Sequence, residues 1–182
     1  LCSNTTAANN VAVGLDALKS NTTGTVNTAV GKSALEDNTT ADCNTAVGAA
    51  SLANTTTGCE NTAIGQQSLN TNTTGDFNTA LGRAALLLST TANDNTAVGY
   101  FSLSKTTTGA VNTGVGGYSL LDNTTGAQNT AVGISSLENN TTASNNTGLG
   151  YRALYLNTTG TQNTAVGRTS LDANTTGSYN TA

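Results

Sequence analysis

The stretch that decides the fold is Asn27-Thr28-Ala29-Val30-Gly31-Lys32-Ser33-Ala34-Leu35-Glu36-Asp37-Asn38-Thr39-Thr40-Ala41-Asp42-Cys43, because the next residues, Asn44-Thr45-Ala46-Val47-Gly48, begin it again. Its leading Asn recurs at 10, 27, 44, 61, 78, 95, 112, 129, 146, 163 and 180 without a slip, so the period is 17 residues and the 182-residue chain holds about 10.7 copies. Written from that Asn, the unit is N-T-A-V-G-x-x-S/A-L-x-x-N-T-T-G/A-x-x. The ninth place is Leu in every copy (Leu1, Leu18, Leu35, Leu52, Leu69, Leu86, Leu103, Leu120, Leu137, Leu154, Leu171). The fifth is always Gly, from Gly14 to Gly167, and the thirteenth and fourteenth are always Thr-Thr.

A unit of 17 residues is too short for a helical hairpin repeat, which needs about 33, and for a propeller blade. It suits one coil of a solenoid. T-A-V favours an extended strand, Gly ends it, and N-T-T-G supplies a second turn signal, so each coil is expected to hold two short strands joined by two bends. Gly is needed where the backbone takes positive φ or approaches its neighbour closely. The expected fold is all-β, a β-solenoid or parallel β-roll with one repeat per coil. Residues 1–182 form one array that rises about 4.8 Å per coil. We expect that array to be a segment of a longer fibre.

Side chains alternate along a strand, so Thr28 and Val30 share one face and Asn27 and Ala29 the other. The larger apolar residues are the expected interior, in two stacked columns: Val30, Val47, Ile64, Val98, Val132 and Val166 in one, and Leu18, Leu35, Leu52, Leu69, Leu103, Leu137 and Leu171 in the other. The Ala29 column holds only Ala or Gly, which suggests close approach on the second face too, and apolar residues on both faces of a strand mean that both are covered. A thin coil cannot cover its own outside, so lateral self-association is expected, as a trimer. Exposure of a bare Ala column is the alternative. The Asn and Thr columns should form stacked amide and hydroxyl ladders, each group bonding to its copy one coil away.

Charged residues are 9% of the chain, against roughly 25% in an ordinary soluble domain, and Pro, Met, Trp and His are absent. Six Lys and Arg within a net charge of −4 leave no basic stripe for nucleic acid. No apolar run reaches membrane-spanning length. All the charged residues and all the aromatics (Phe77, Tyr100, Phe101, Tyr118, Tyr151, Tyr155, Tyr179) fall at places 6, 7, 10, 11, 16 and 17, which are therefore expected to be outward bends. Catalysis needs a nucleophile, a base and an orienting group that converge. With no His and with carboxylates scattered over different coils, the chain is read as not an enzyme and as having no cofactor. Neither an EF-hand loop nor a G-G-x-G-x-D nonapeptide is present to hold calcium. Cys43 and Cys59 lie on successive coils near enough to bridge if the bends allow, and Cys2 makes the count odd, so at least one thiol is free or intermolecular.

Asn-x-Ser/Thr sequons fall at Asn4, Asn21, Asn38, Asn54, Asn72, Asn123, Asn139, Asn140, Asn145, Asn157 and Asn174, most of them in the N-T-T bend. Each of these is a candidate for N-linked sugar and equally a turn residue, since Asn bonds its own backbone and tolerates left-handed φ. The Thr-Thr column offers O-linked sites.

The units Asn44 to Leu52 and Asn129 to Leu137 resemble the S-x-A-I-G repeats of trimeric autotransporter adhesin heads, and the 17-residue form with N-T-T-G is similar to repeats of bacterial and phage tail fibres. The resemblance implies a left-handed parallel β-roll, trimeric and displayed outside the cell or virion for attachment. The chain's period exceeds that of the adhesin heads, and no coiled-coil stalk, anchor or chaperone domain lies within it. The expected function is therefore structural, as the shaft of an extracellular fibre, adhesin or tail fibre at the cell or virion surface. Its partners would be copies of itself, as a trimer or head-to-tail filament, together with covalent glycans or cell-surface carbohydrate. The alternatives are an ice-binding solenoid that uses the Thr columns and a carbohydrate-binding one that uses the outward Tyr residues.

Overall fold

The computed structural model describes residues 2–182; Leu1, the first member of the Leu column, lies outside the described residues. Ten three-residue strands follow one another: β1 (Val11–Val13), β2 (Thr28–Val30), β3 (Thr45–Val47), β4 (Thr62–Ile64), β5 (Thr79–Leu81), β6 (Thr96–Val98), β7 (Thr113–Val115), β8 (Thr130–Val132), β9 (Thr147–Leu149) and β10 (Thr164–Val166). They form one parallel sheet in sequence order. The register is that of the repeat, Thr28 opposite Thr45, Ala29 opposite Ala46 and Val30 opposite Val47. The chain is a β-solenoid of about nine turns between the first strand and the last, with one repeat per turn.

Each coil has one regular strand rather than the two expected. The second leg still bonds to the next coil, as in Leu35 N–H to Ser51 O at 3.1 Å and Asp37 N–H to Ala53 O at 2.9 Å. Its backbone is not extended, however. Three non-glycine positions per coil take left-handed φ, as with Ser33 (56°), Leu35 (50°) and Cys43 (59°). These bends turn 17 residues into a closed loop. Left-handed backbone costs an L-residue roughly 1–2 kcal/mol, and burying a Leu side chain contributes about 1.5–3 kcal/mol, so the Leu column offsets its own strain. Gly31 is required for two reasons: its φ is 138°, and a Cβ there would lie 2.5 Å from the carbonyl oxygen of Gly48.

The strand faces are the reverse of those expected. Ala29, Ala46, Ala63, Ala80, Ala97, Ala131 and Ala165 are fully buried and pack with the Leu column into one continuous core. The valine column points outward: Val30, Val47 and Val98 are half-buried, and Ile64, Val132 and Val166 are exposed at 39%, 39% and 59%. The reason is space. Opposite the strand, the eighth place brings Ser or Ala against the sheet, as where Ser51 Oγ donates to Ala63 O at 2.9 Å. Even the Cβ of an Ala placed at Gly114 would meet Ser102 Oγ at 2.7 Å. With Leu filling the rest of the lumen, the third place accommodates a methyl group or less. Leu18, Leu35, Leu52, Leu69, Leu103 and Leu137 are fully buried as expected, and Leu171, in the last coil, is half-buried.

Candidate functional site

The invariant Asn of the first place is buried and stitches coils together. Asn44 donates its main-chain N–H to Asn27 Oδ1 at 3.0 Å, and its Nδ2 reaches Gly58 O at 2.8 Å. The same pair of bonds recurs along the array, as at Asn112 and Asn146. Thr at the thirteenth place donates its hydroxyl to the carbonyl of its copy in the next coil, as Thr39 does to Thr56 O at 3.1 Å. A further ladder was hidden among the variable residues: at the sixteenth place a side-chain acceptor takes the main-chain N–H one coil back. Thr25 N–H donates to Asp42 Oδ1 at 2.6 Å, Cys59 N–H to Asp76 Oδ1 at 2.7 Å, and Ala127 N–H to Ser144 Oγ at 3.0 Å. Asp, Asn and Ser all serve in that role, so most of this variable column keeps one chemistry, and Ala110 and Ala127 interrupt it.

The sequons divide by burial. Asn21, Asn38, Asn72, Asn123, Asn140 and Asn157 are fully buried, and each donates through Nδ2 to the carbonyl three residues on. Asn38 Nδ2, for example, lies 2.8 Å from Asn21 Oδ1 and 3.2 Å from Ala41 O. The bend Asn turns inward, so an N-linked sugar on any of these six is incompatible with the fold. Asn174 is half-buried and bonds Asn157 Oδ1 at 3.0 Å, and Asn139, also half-buried, bonds Tyr155 O at 2.8 Å. Asn4, Asn54 and Asn145 are exposed. The second Thr of each bend, as in Thr23, Thr40, Thr57 and Thr74, is exposed as well.

Two outward surfaces remain. One is the sheet face, where the half-buried Thr28 and Val30 columns run side by side along the rod. The other lies where three successive coils carry large bend residues. Tyr100, Phe101 and Tyr118 form one wall of an open depression of about 440 Å³, and Leu87, Leu88 and Leu121 form the other. Ser104 sits in the tenth-place column between Leu87 and Leu121, and its small side chain leaves the gap. Tyr100 meets Phe101 and Tyr118 edge-on at centroid distances of 4.5 and 5.4 Å. Arg83 lies over Tyr100 and Phe101 at 5.6 and 5.7 Å and donates from Nη1 to the Tyr100 hydroxyl at 3.1 Å. Tyr151 and Tyr155 belong to a separate pair of contacts, with Arg168 and Arg152.

Charged groups are few and scattered. A hydrogen bond to Glu36, with Asp16 nearby, holds Lys19 above the ordinary lysine pKa, and Lys105 pairs with Asp122 at 2.7 Å. Such exposed, solvent-screened pairs contribute little to stability. Cys2, Cys43 and Cys59 are all free; the Cys59 thiol occupies a sixteenth-place position and accepts the Asp42 N–H at 3.3 Å. Among the described residues, no group of three His, Cys, Asp or Glu converges to hold a metal, and no helix is long and apolar enough to cross a membrane.

No family model matches the chain, and no curated protein or solved structure matches it.

Proposed function

We propose that the chain is a shaft segment of an extracellular fibre, adhesin or tail fibre, displayed at the cell or virion surface. The observation that carries this reading is the unbroken register of the sheet: ten strands and the Asn, Thr and Leu columns repeat from β1 to β10 without an insertion. The constant residues are spent on joining one coil to the next, which gives length and stiffness, and function is left to the surface columns. Self-association follows from the outward valine column, which needs cover from other copies, in a trimer or by side-to-side contact within a filament. Sugar, if carried, belongs on the exposed Asn4, Asn54 and Asn145 or on the second Thr of the bends. Immunogold electron microscopy of the source cells or virions with an antibody to the 17-residue unit tests this reading. Label along thin surface filaments is the expected result; label confined to the cell interior would refute it.

A second reading has a specific observation in its favour. The Thr28 and Val30 columns lie on one face of a registered parallel sheet, with rows about 4.8 Å apart along the axis and about 6.6 Å across it. Such an uncharged, regularly spaced face suits ordered water, as ice binding requires. Thermal hysteresis of the purified protein, abolished by Thr96→Lys and Thr113→Lys, would favour it over the shaft.

A further inference from the structure

We propose that the depression between Tyr100, Tyr118 and Leu121 is a binding site for an acidic saccharide, with the sugar's C–H face on the tyrosine rings and its carboxylate reaching beyond the lining to Arg83, which stands beside the depression against Tyr100. The locus is a local departure in a repeating surface. Elsewhere the bend columns hold mostly small or polar residues. Over three coils they hold three aromatic rings and three leucines around the small Ser104. A volume of about 440 Å³ is within the range of small-molecule sites, roughly 300–1,000 Å³. Tyr100 and Tyr118 remain 42% and 40% exposed although each packs against another ring, so part of each side chain stays open to solvent. A ligand with an apolar face and a polar edge is complementary to such rings, and a pyranose has both.

The charge pattern selects an acid. Lys105 at the rim is already paired with Asp122. Arg83 has no ion-pair partner among the described residues, where the ion pairs involve only Lys19 and Lys105. Its guanidinium is held in place by the Tyr100 hydroxyl and by the two rings it lies over. A guanidinium fixed in this way is pre-organised for a carboxylate, which it binds through paired N–H donors. A purely apolar occupant, such as a side chain of a second copy, would leave that cation unused.

The test is isothermal titration of the soluble chain with tetragalacturonic acid and with its fully methyl-esterified form, together with saturation-transfer NMR. We expect the free acid to bind about tenfold more tightly than the ester, since one charge-assisted hydrogen bond contributes at least that factor, and we expect transfer to the ring C–H protons. Tyr118→Ala should abolish binding while the fold persists, because Ala50 and Ala84 occupy the same left-handed position in other coils. Arg83→Gln should remove the preference for the acid, and Gln66 shows that this column accepts Gln. Lys32→Gln, in the same column on a distant coil, should change nothing. Binding that survives Tyr118→Ala, equal affinity for acid and ester, or no binding of either would overturn the proposal. So would dissociation of an oligomer by Tyr118→Ala, which would assign the depression to another copy. Circular dichroism and particle shape report on the shaft separately, so failure of this site leaves that reading standing.

Discussion

The main-chain N–H of Asn112 donates to the side-chain Oδ1 of Asn95 at 2.9 Å, across one full coil. Asn95 in turn donates through Nδ2 to Gly109 O at 3.0 Å, where the coil closes. One buried amide thus does what a sheet ladder cannot: it joins the strand both to the coil beside it and to the far end of its own loop. Asn95→Ala leaves a buried N–H and a buried carbonyl without partners, each worth about 1–3 kcal/mol. We expect a loss of about 3 kcal/mol in urea unfolding, with Asn95→Asp also destabilising because it lacks the Nδ2 donor.

The twelfth-place ladder has faults that can be repaired. Asn140 donates to Asn123 Oδ1 at 3.1 Å, and Asn157 to Asn140 Oδ1 at 3.1 Å. At Thr55 the chain of amides is broken, and both the Thr55 hydroxyl and Asn38 Oδ1 are buried without a partner. Thr55→Asn supplies a donor to Asn38 and an acceptor to Asn72. It should stabilise the array by about 1–2 kcal/mol, read as a higher denaturation midpoint.

Val111 is a branched residue at φ 60°, and 53% of its surface is exposed, so it bears left-handed strain with little burial in return. Asn9 and Asn145 hold the same place in other coils at φ 60° and 62°. Val111→Asn should therefore raise stability by about 1 kcal/mol. A loss measured by thermal unfolding would contradict that account of the bend.

The assignment of faces separates two apolar columns that look alike in the sequence. Leu86 is fully buried, whereas Val132 is 39% exposed. Leu86→Ala should cost about 2–5 kcal/mol. Val132→Thr, on the outer face of the monomer, should stay within about 0.5 kcal/mol. Equal penalties in dilute monomer would place both columns inside.

The period, the coil and the Leu column were legible because 17 residues admit few architectures and a Leu kept in every copy has little alternative to the core. The parity of the strand was not. Val30 is the larger apolar residue and Ala29 the smaller, and hydrophobicity alone favours burying Val30. The lumen is narrow because Leu35 and the Ser51 column already fill it, and that is a property of the closed coil rather than of any single segment. The second strand was expected, and is absent, for a related reason. Leu reads as extended or helical, and its left-handed φ at Leu35 is sustained only by the burial that ring closure makes possible. The sequons misled because a turn Asn can face either way; Asn38 faces inward to Asn21. The depression at Tyr100 needed the structure, since it joins residues of the sixth and seventh places to residues of the tenth and eleventh across three coils.

The central claim is that the chain is a rod whose strands lie across its axis, one per 17 residues. Diffraction from oriented rods, or the power spectrum of cryo-electron micrographs of them, measures this directly. The account predicts a strong reflection at about 4.8 Å along the long axis of the particle. A 4.8 Å spacing perpendicular to that axis, or a particle with no axial periodicity, would contradict it.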